Sequence, residues 1–157
     1  MPKILLPTLE TTLDFGCLLG KHLPPSSTLL LMGNLGAGKT TLVQGIGRGL
    51  GIKESIVSPT FTLINEYLDG RIPLYHLDLY RLESSQIDNL YPEIYWEGIE
   101  VEPGITAIEW SQLLPIKPAS YIKIELSDSL NARQAELEFH GKIPDLKFIQ
   151  NFAPVQK

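Results

Sequence analysis

The sequence contains a single cysteine, Cys17, so no disulfide can form within it. A lone cysteine of this kind behaves as a small apolar residue and suits a reducing compartment. Long hydrophobic runs are also missing. The longest, Leu29-Leu30-Leu31-Met32, has the length of a strand, far below the ~20 apolar residues a membrane helix needs. The apolar stretch within residues 1–7 is too short for a signal peptide, so the expected location is cytoplasmic. Basic charge is in deficit, with 13 Lys and Arg against 18 Asp and Glu and a net charge of −5. No overall basic field draws the chain to nucleic acid or to an anionic membrane, and contact with RNA requires a local patch or a partner protein. Repeats and low-complexity segments are absent.

What is present is an ordinary globular composition, 43% hydrophobic and 20% charged over 157 residues. This fits one domain over 1–157, large enough to bury roughly two-thirds of its unfolded surface. Apolar spacing predicts an amphipathic helix over 11–22, a buried strand over 28–32 and a helix over 40–50 that Gly51 stops. Segments 61–68 and 72–78 are rich in β-branched and aromatic residues. Asp69-Gly70 between them reads as a hairpin turn using the positive φ that glycine supplies. Ser84 or Ser85 is expected to cap a short helix through residue 90. Further strands are expected over 105–108, 120–126 and 134–140, and the tail from about 144 is expected to be loosely packed. Hairpins mixed with a strand–loop–helix unit predict an α/β, three-layer P-loop fold whose central sheet is mixed and partly antiparallel. A ligand then belongs at the carboxyl edge of the strands.

The chemistry concentrates in Gly33-Asn34-Leu35-Gly36-Ala37-Gly38-Lys39-Thr40, which satisfies G-x-x-x-x-G-K-[ST], the Walker A pattern. The glycines let the backbone of Gly33, Leu35, Gly36, Ala37 and Gly38 curl so that successive N–H groups point inward as an anion nest. The helix that follows adds its N-terminal partial positive charge. Lys39 reaches the β and γ phosphates of a nucleotide, and the Thr40 hydroxyl holds Mg²⁺. Thr41 either touches the α-phosphate or caps and packs. Such a loop needs an acidic residue at a strand end. Asp78, after Leu74-Tyr75-His76-Leu77, and Glu109, after Ile105-Thr106-Ala107-Ile108, both qualify. Pattern alone does not divide metal binding from water activation between them. Ser58 and Thr60, in Ser58-Pro59-Thr60-Phe61-Thr62, lie where a γ-phosphate switch often sits, although spacing alone favours an ordinary Ser-Pro turn that opens a strand. Trp110 is either a core aromatic or part of the site.

Taken in order, residues 33–41, the Ser-Pro-Thr-Phe-Thr-Leu of 58–63, the Tyr-His-Leu-Asp-Leu-Tyr-Arg-Leu of 75–82 and the Ile-Glu-Trp of 108–110 resemble the TsaE (YjeE) family of bacterial ATPases. The resemblance spans residues 5–140. It implies that ATP is the nucleotide, that Thr40 and Glu109 coordinate Mg²⁺, that Asp78 is needed for hydrolysis and that 58–62 is switch-like. It also implies that the stretch near Leu9 and the Ala132-Arg133 loop meet the adenine end. Ala132 stands where the family usually has glycine, and residues 90–98 lack the family's glycine after the leucine. The resemblance further implies partners, TsaB and TsaD, with tRNA met only indirectly. Together these form N6-threonylcarbamoyladenosine at position 37 of tRNAs reading codons that begin with A, and ATP hydrolysis supports turnover of the complex. Rival classes fit less well. A metabolite kinase would need an arginine-rich lid, and a GTPase would need Asn-Lys-x-Asp and Asp-x-x-Gly motifs, none of which the sequence contains. A nucleotide-gated binding module without catalysis overlaps with the main reading. It would bind ATP yet release no phosphate.

Overall fold

The computed structural model of the chain describes residues 2–59, 62–129, 132–152 and 155–156. Its elements are β1 (Lys3–Leu6), α1 (Leu9–His22), β2 (Ser27–Met32), α2 (Lys39–Leu50), β3 (Ile64–Tyr67), β4 (Leu74–Asp78), α3 (Ser84–Asp88), α4 (Glu93–Glu97), β5 (Ile105–Glu109), β6 (Tyr121–Ser129), β7 (Ala132–His140) and β8 (Val155–Gln156). Short 3₁₀ turns follow β5 (Ser111–Leu113) and β7 (Lys147–Asn151). Among the described residues the strands form one sheet in the order β3-β4-β5-β2-β6-β7-β1-β8. The block β4-β5-β2-β6 is parallel, and antiparallel strands flank it on both sides. The mixed sheet expected from the sequence is therefore present.

The central strand β2 alternates between two cores. Leu29 and Leu31 pack with Phe15 and Leu19 of α1 and with Leu42, Val43 and Ile46 of α2. Leu30 faces the opposite layer with Tyr75, Leu77, Ile108 and Ile87, where Tyr95 and Trp96 of α4 also pack. The period of two along a strand buried on both faces explains why it reads as an unbroken apolar run.

Helices α1 and α2 meet at backbone distance through a reciprocal set of glycines. A β-carbon on Gly16 would lie 2.9 Å from the Gly45 Cα and would collide with the Leu42 carbonyl; one on Gly45 would collide with the Leu13 carbonyl. Gly20 and Gly49 approach Ile46 and Cys17 in the same way. In a free helix Gly→Ala would stabilise by about 1 kcal/mol. Here the sign should reverse. Gly45→Ala is expected to destabilise the fold by about 1–3 kcal/mol, the usual cost of overpacking, read as a lower denaturation midpoint at unchanged m-value.

Three sequence expectations need correction. The loop between β3 and β4 spans residues 68–73, and Gly70 is not at positive φ. Glycine is required there for close approach, since a β-carbon would sit 2.9 Å from the Leu50 carbonyl oxygen, which also accepts from Arg71 N at 2.7 Å. Helix α3 is capped by Glu83, not by Ser84 or Ser85, and ends at Asp88. The Glu83 N–H donates to Gln86 Oε1 at 2.8 Å. The segment 145–152, together with β8, is not loose. Ile149 is buried in the α1 side of the core, Phe148 stacks on His22 at 4.7 Å, Phe152 tilts against Phe15 at 5.4 Å, and β8 pairs with β1. Its apolar side chains cover α1, an outcome of non-local packing that local pattern does not encode.

Candidate functional site

The loop expected to hold phosphate joins β2 to α2. Gly36 and Gly38 adopt φ of 79° and 108°, and Gly38 is the N-cap of α2. No side chain caps that end and its first turn carries no acidic residue, so the leading N–H groups and the helix dipole are left for an anion. Gly33 meets a different need. A β-carbon there would come within 2.8 Å of the Leu126 carbonyl. Ala37 N donates to Asn34 O at 3.0 Å and tightens the turn.

Lys39 opens α2 and is buried. Its ammonium donates to the carbonyls of Gly33 and of Asn34, the latter at 3.0 Å, and lies 4.3 Å from the centroid of the Trp110 ring. Burial holds its pKa below the ordinary lysine value, while the charges of Glu109 and Asp78 pull it back up. A polyphosphate entering the loop would offer the ammonium stronger acceptors than two neutral carbonyls.

Sheet register assembles the acids. Asp78 and Glu109 are Cα partners at the carboxyl ends of parallel β4 and β5, and Glu109 is also opposite Leu31 of β2, which lies on the α2 side of the sheet. Both carboxylates thus reach the loop from neighbouring strands. The Thr40 hydroxyl donates to Glu109 Oε1 and Oε2 at 3.1 and 3.0 Å. Asp78 Oδ2 accepts from Ser58 Oγ at 2.8 Å and its Oδ1 from Tyr80 N at 3.0 Å. The two acids therefore sit in separate hydrogen-bond settings, a division invisible to pattern. Among the described residues no group of three or more His, Cys, Asp or Glu side chains could hold a metal by itself. A hydroxyl and a carboxylate in contact beside a phosphate loop still fit magnesium, a hard ion bound through one or two protein oxygens plus phosphates and water.

A cavity of about 680 Å³ opens over these groups. Of the residues singled out from sequence, Leu9, Leu35, Gly36, Gly38, Lys39, Thr40, Thr41, Ser58, Asp78 and Glu109 line it. Gly33 and Ala37 do not line it; Gly33 lies against Leu126, and Ala37 packs on the α1–α2 core. Thr60 lies outside the described residues, as does the side chain of Ala132, while Arg133 next to it lines the cavity. Pro59, Leu63, Tyr80, Arg81, Leu82 and Trp110 complete the wall. Leu63, Arg81 and Trp110 have φ of 66°, 72° and 57°. Side chains rarely adopt such values, and strain of this kind clusters at functional sites. No sequence signal announces it.

A strand, a glycine-rich loop and a helix, with two strand-end acids beside it in a mixed sheet, define a P-loop NTPase fold. The crystal structure of Bacillus subtilis YdiB superposes with a TM-score of 0.73 at 32% identity, covering 90% of this chain and 88% of that one. The family model for the threonylcarbamoyl adenosine biosynthesis protein TsaE matches residues 6–135, and the chain belongs to the TsaE family. The Nostoc sp. tRNA threonylcarbamoyladenosine biosynthesis protein TsaE is 60% identical over 148 residues, 93% of this chain and 91% of the relative. The protein of the same description from Synechocystis sp. is 55% identical over 117 residues, 74% of each chain. Among the described residues no helix is long and apolar enough to cross a membrane.

Proposed function

We propose that this chain is the ATP-binding and ATP-hydrolysing subunit of tRNA threonylcarbamoyladenosine synthesis, acting as one domain in the cytoplasm with TsaB and TsaD. The observation that carries the reading is the contact of the Thr40 hydroxyl with both oxygens of Glu109 at the mouth of the phosphate loop. It brings the helix that grips phosphate and the strand that supplies an acid to one point.

In this reading the loop N–H groups and Lys39 bind the triphosphate, and Lys39 exchanges its carbonyl partners for β and γ oxygens. Thr40 and Glu109 hold Mg²⁺, which when bound neutralises charge on the transferring phosphoryl group. Asp78 stands apart, held by Ser58 and by the Tyr80 N–H, and orients the attacking water. Ser58 lies in the segment that follows the γ-phosphate, so release of phosphate changes the contacts of Asp78. Leu9 and Arg133 line the cavity, and in this reading they, together with the Ala132 position, meet the adenine end of ATP. The net charge of −5 suits contact with proteins first and with tRNA only through them.

The test is modified-nucleoside analysis of tRNA in a TsaB–TsaD reaction. With the chain and ATP present, product is expected to exceed one equivalent per complex, and without the chain to stop near one. Equal yields with and without it would refute the assignment, as would an absence of phosphate release in the full mixture.

A further inference from the structure

Alternate residues of a strand share a face, so His76 of β4 points to the same side as Asp78, toward α2. Its Cα partner is Ala107, two residues before Glu109. The imidazole is fully buried, and its Nε2 lies 2.5 Å from Glu109 Oε2. Its Nδ1 has no hydrogen-bond partner among the described residues. Leaving a buried polar atom unpaired costs about 1–3 kcal/mol. An apolar side chain at this position would avoid that cost, so the bond from Nε2 must compensate for it.

Glu109 is itself only 3% exposed, so bulk water does not orient it. Its carboxylate is fixed instead by two donors from different elements, Thr40 of α2 and His76 of β4. The Thr40 hydroxyl is the group given to metal in the reading above, and its hydrogen bonds to Glu109 must change when an ion arrives. The His76 donor can stay. We infer that His76 is a positioning residue that holds the Glu109 carboxylate in the orientation seen beside Thr40, where it would meet magnesium. This rests on the proposed role of Glu109. Groups that hydrogen-bond to metal-binding side chains typically change metal affinity or activity by about 10–100-fold when removed.

The test compares His76→Gln, whose amide N–H can reach where Nε2 was, with His76→Met, which has similar length and no donor. The probe is Mn²⁺, titrated by electron paramagnetic resonance in the presence of ADP, alongside ADP binding in EDTA. His76→Met is expected to weaken Mn²⁺ by about 10–100-fold with metal-free ADP affinity unchanged, and His76→Gln to restore most of the loss. Glu109→Ala separates the two claims. If it weakens Mn²⁺ while His76→Met binds like wild type, the positioning role is overturned and the metal site stands. If Glu109→Ala leaves Mn²⁺ binding intact, the metal site fails and the inference with it. Equal weakening by Met and Gln would mean that His76 only fills space, and this also overturns the inference. If the Met variant does not fold, the Gln variant decides alone. Mn²⁺ binding close to wild type then supports the positioning role, and its loss in a folded Gln variant overturns it.

Discussion

Lys39→Ala is expected to lower nucleotide affinity by about 10–100-fold, the worth of one charge-assisted hydrogen bond of about 1.5–3 kcal/mol. Phosphate release should fall further, by about 10²–10³, because in the proposed role the ammonium faces charge that develops in the transition state. The fold should survive. Lys39 is buried, and burial lowers its pKa against the pull of Glu109 and Asp78, so its charge is a cost to the empty protein. Removing it relieves that cost while freeing the Gly33 and Asn34 carbonyls of their donor. The two changes oppose each other, and thermal melting should move little. Isothermal titration with ATP and a phosphate-release assay check the pair of outcomes. Wild-type affinity in the alanine variant would remove the loop from the mechanism.

Glu109→Gln is the second large effect. The amide keeps the shape of the side chain and an oxygen for Thr40 or His76, but loses the negative charge. Phosphate release is expected to drop by about 100-fold or more, corresponding to roughly 3 kcal/mol of transition-state stabilisation. Binding of ADP without metal should be nearly unchanged. The charge of Glu109 also supports the Lys39 ammonium, being the first of the opposing influences on its pKa. Its loss should therefore push the Lys39 pKa further down and move the alkaline limb of nucleotide binding to lower pH. A pH series on ATP binding reads this directly. An unshifted limb, with turnover equal to wild type, would contradict the assignment.

How far the sequence revealed these features depends on whether the cause was local. The conformation of the loop between β2 and α2 was legible because its requirements are local: glycines at positive φ, a strand before and a helix after. Gly51 closing α2 at φ 81° follows from the same rule. Asp78 and Glu109 could be picked out as strand ends, because apolar runs precede each. Their separate settings could not be, since Thr40–Glu109 and Ser58–Asp78 join residues far apart in the chain. The short β1 lies between Pro2 and Pro7 and is stabilised by pairing with β7 and β8, so nothing within its own residues marks it. The contact of α1 with α2 was hidden for a related reason. Gly16 and Gly45 read singly as weak helix formers, and only side by side do they become the means by which two backbones touch. His76 looked like one more residue of a recognised block, and its hydrogen bond to Glu109 emerges only once β4 and β5 are in register. Trp110, left open between core and site, lies in the cavity wall at positive φ beneath the Lys39 ammonium.

The most direct test is a crystal structure with magnesium and a non-hydrolysable ATP analogue. The β-phosphate should lie against the N–H groups of residues 36–40, with the Lys39 ammonium turned from Gly33 O and Asn34 O onto phosphate. The ion should sit at ~2.1 Å from Thr40 Oγ1, with Glu109 on the ion directly or through one water. An empty loop, or an ion remote from both Thr40 and Glu109, would contradict the account.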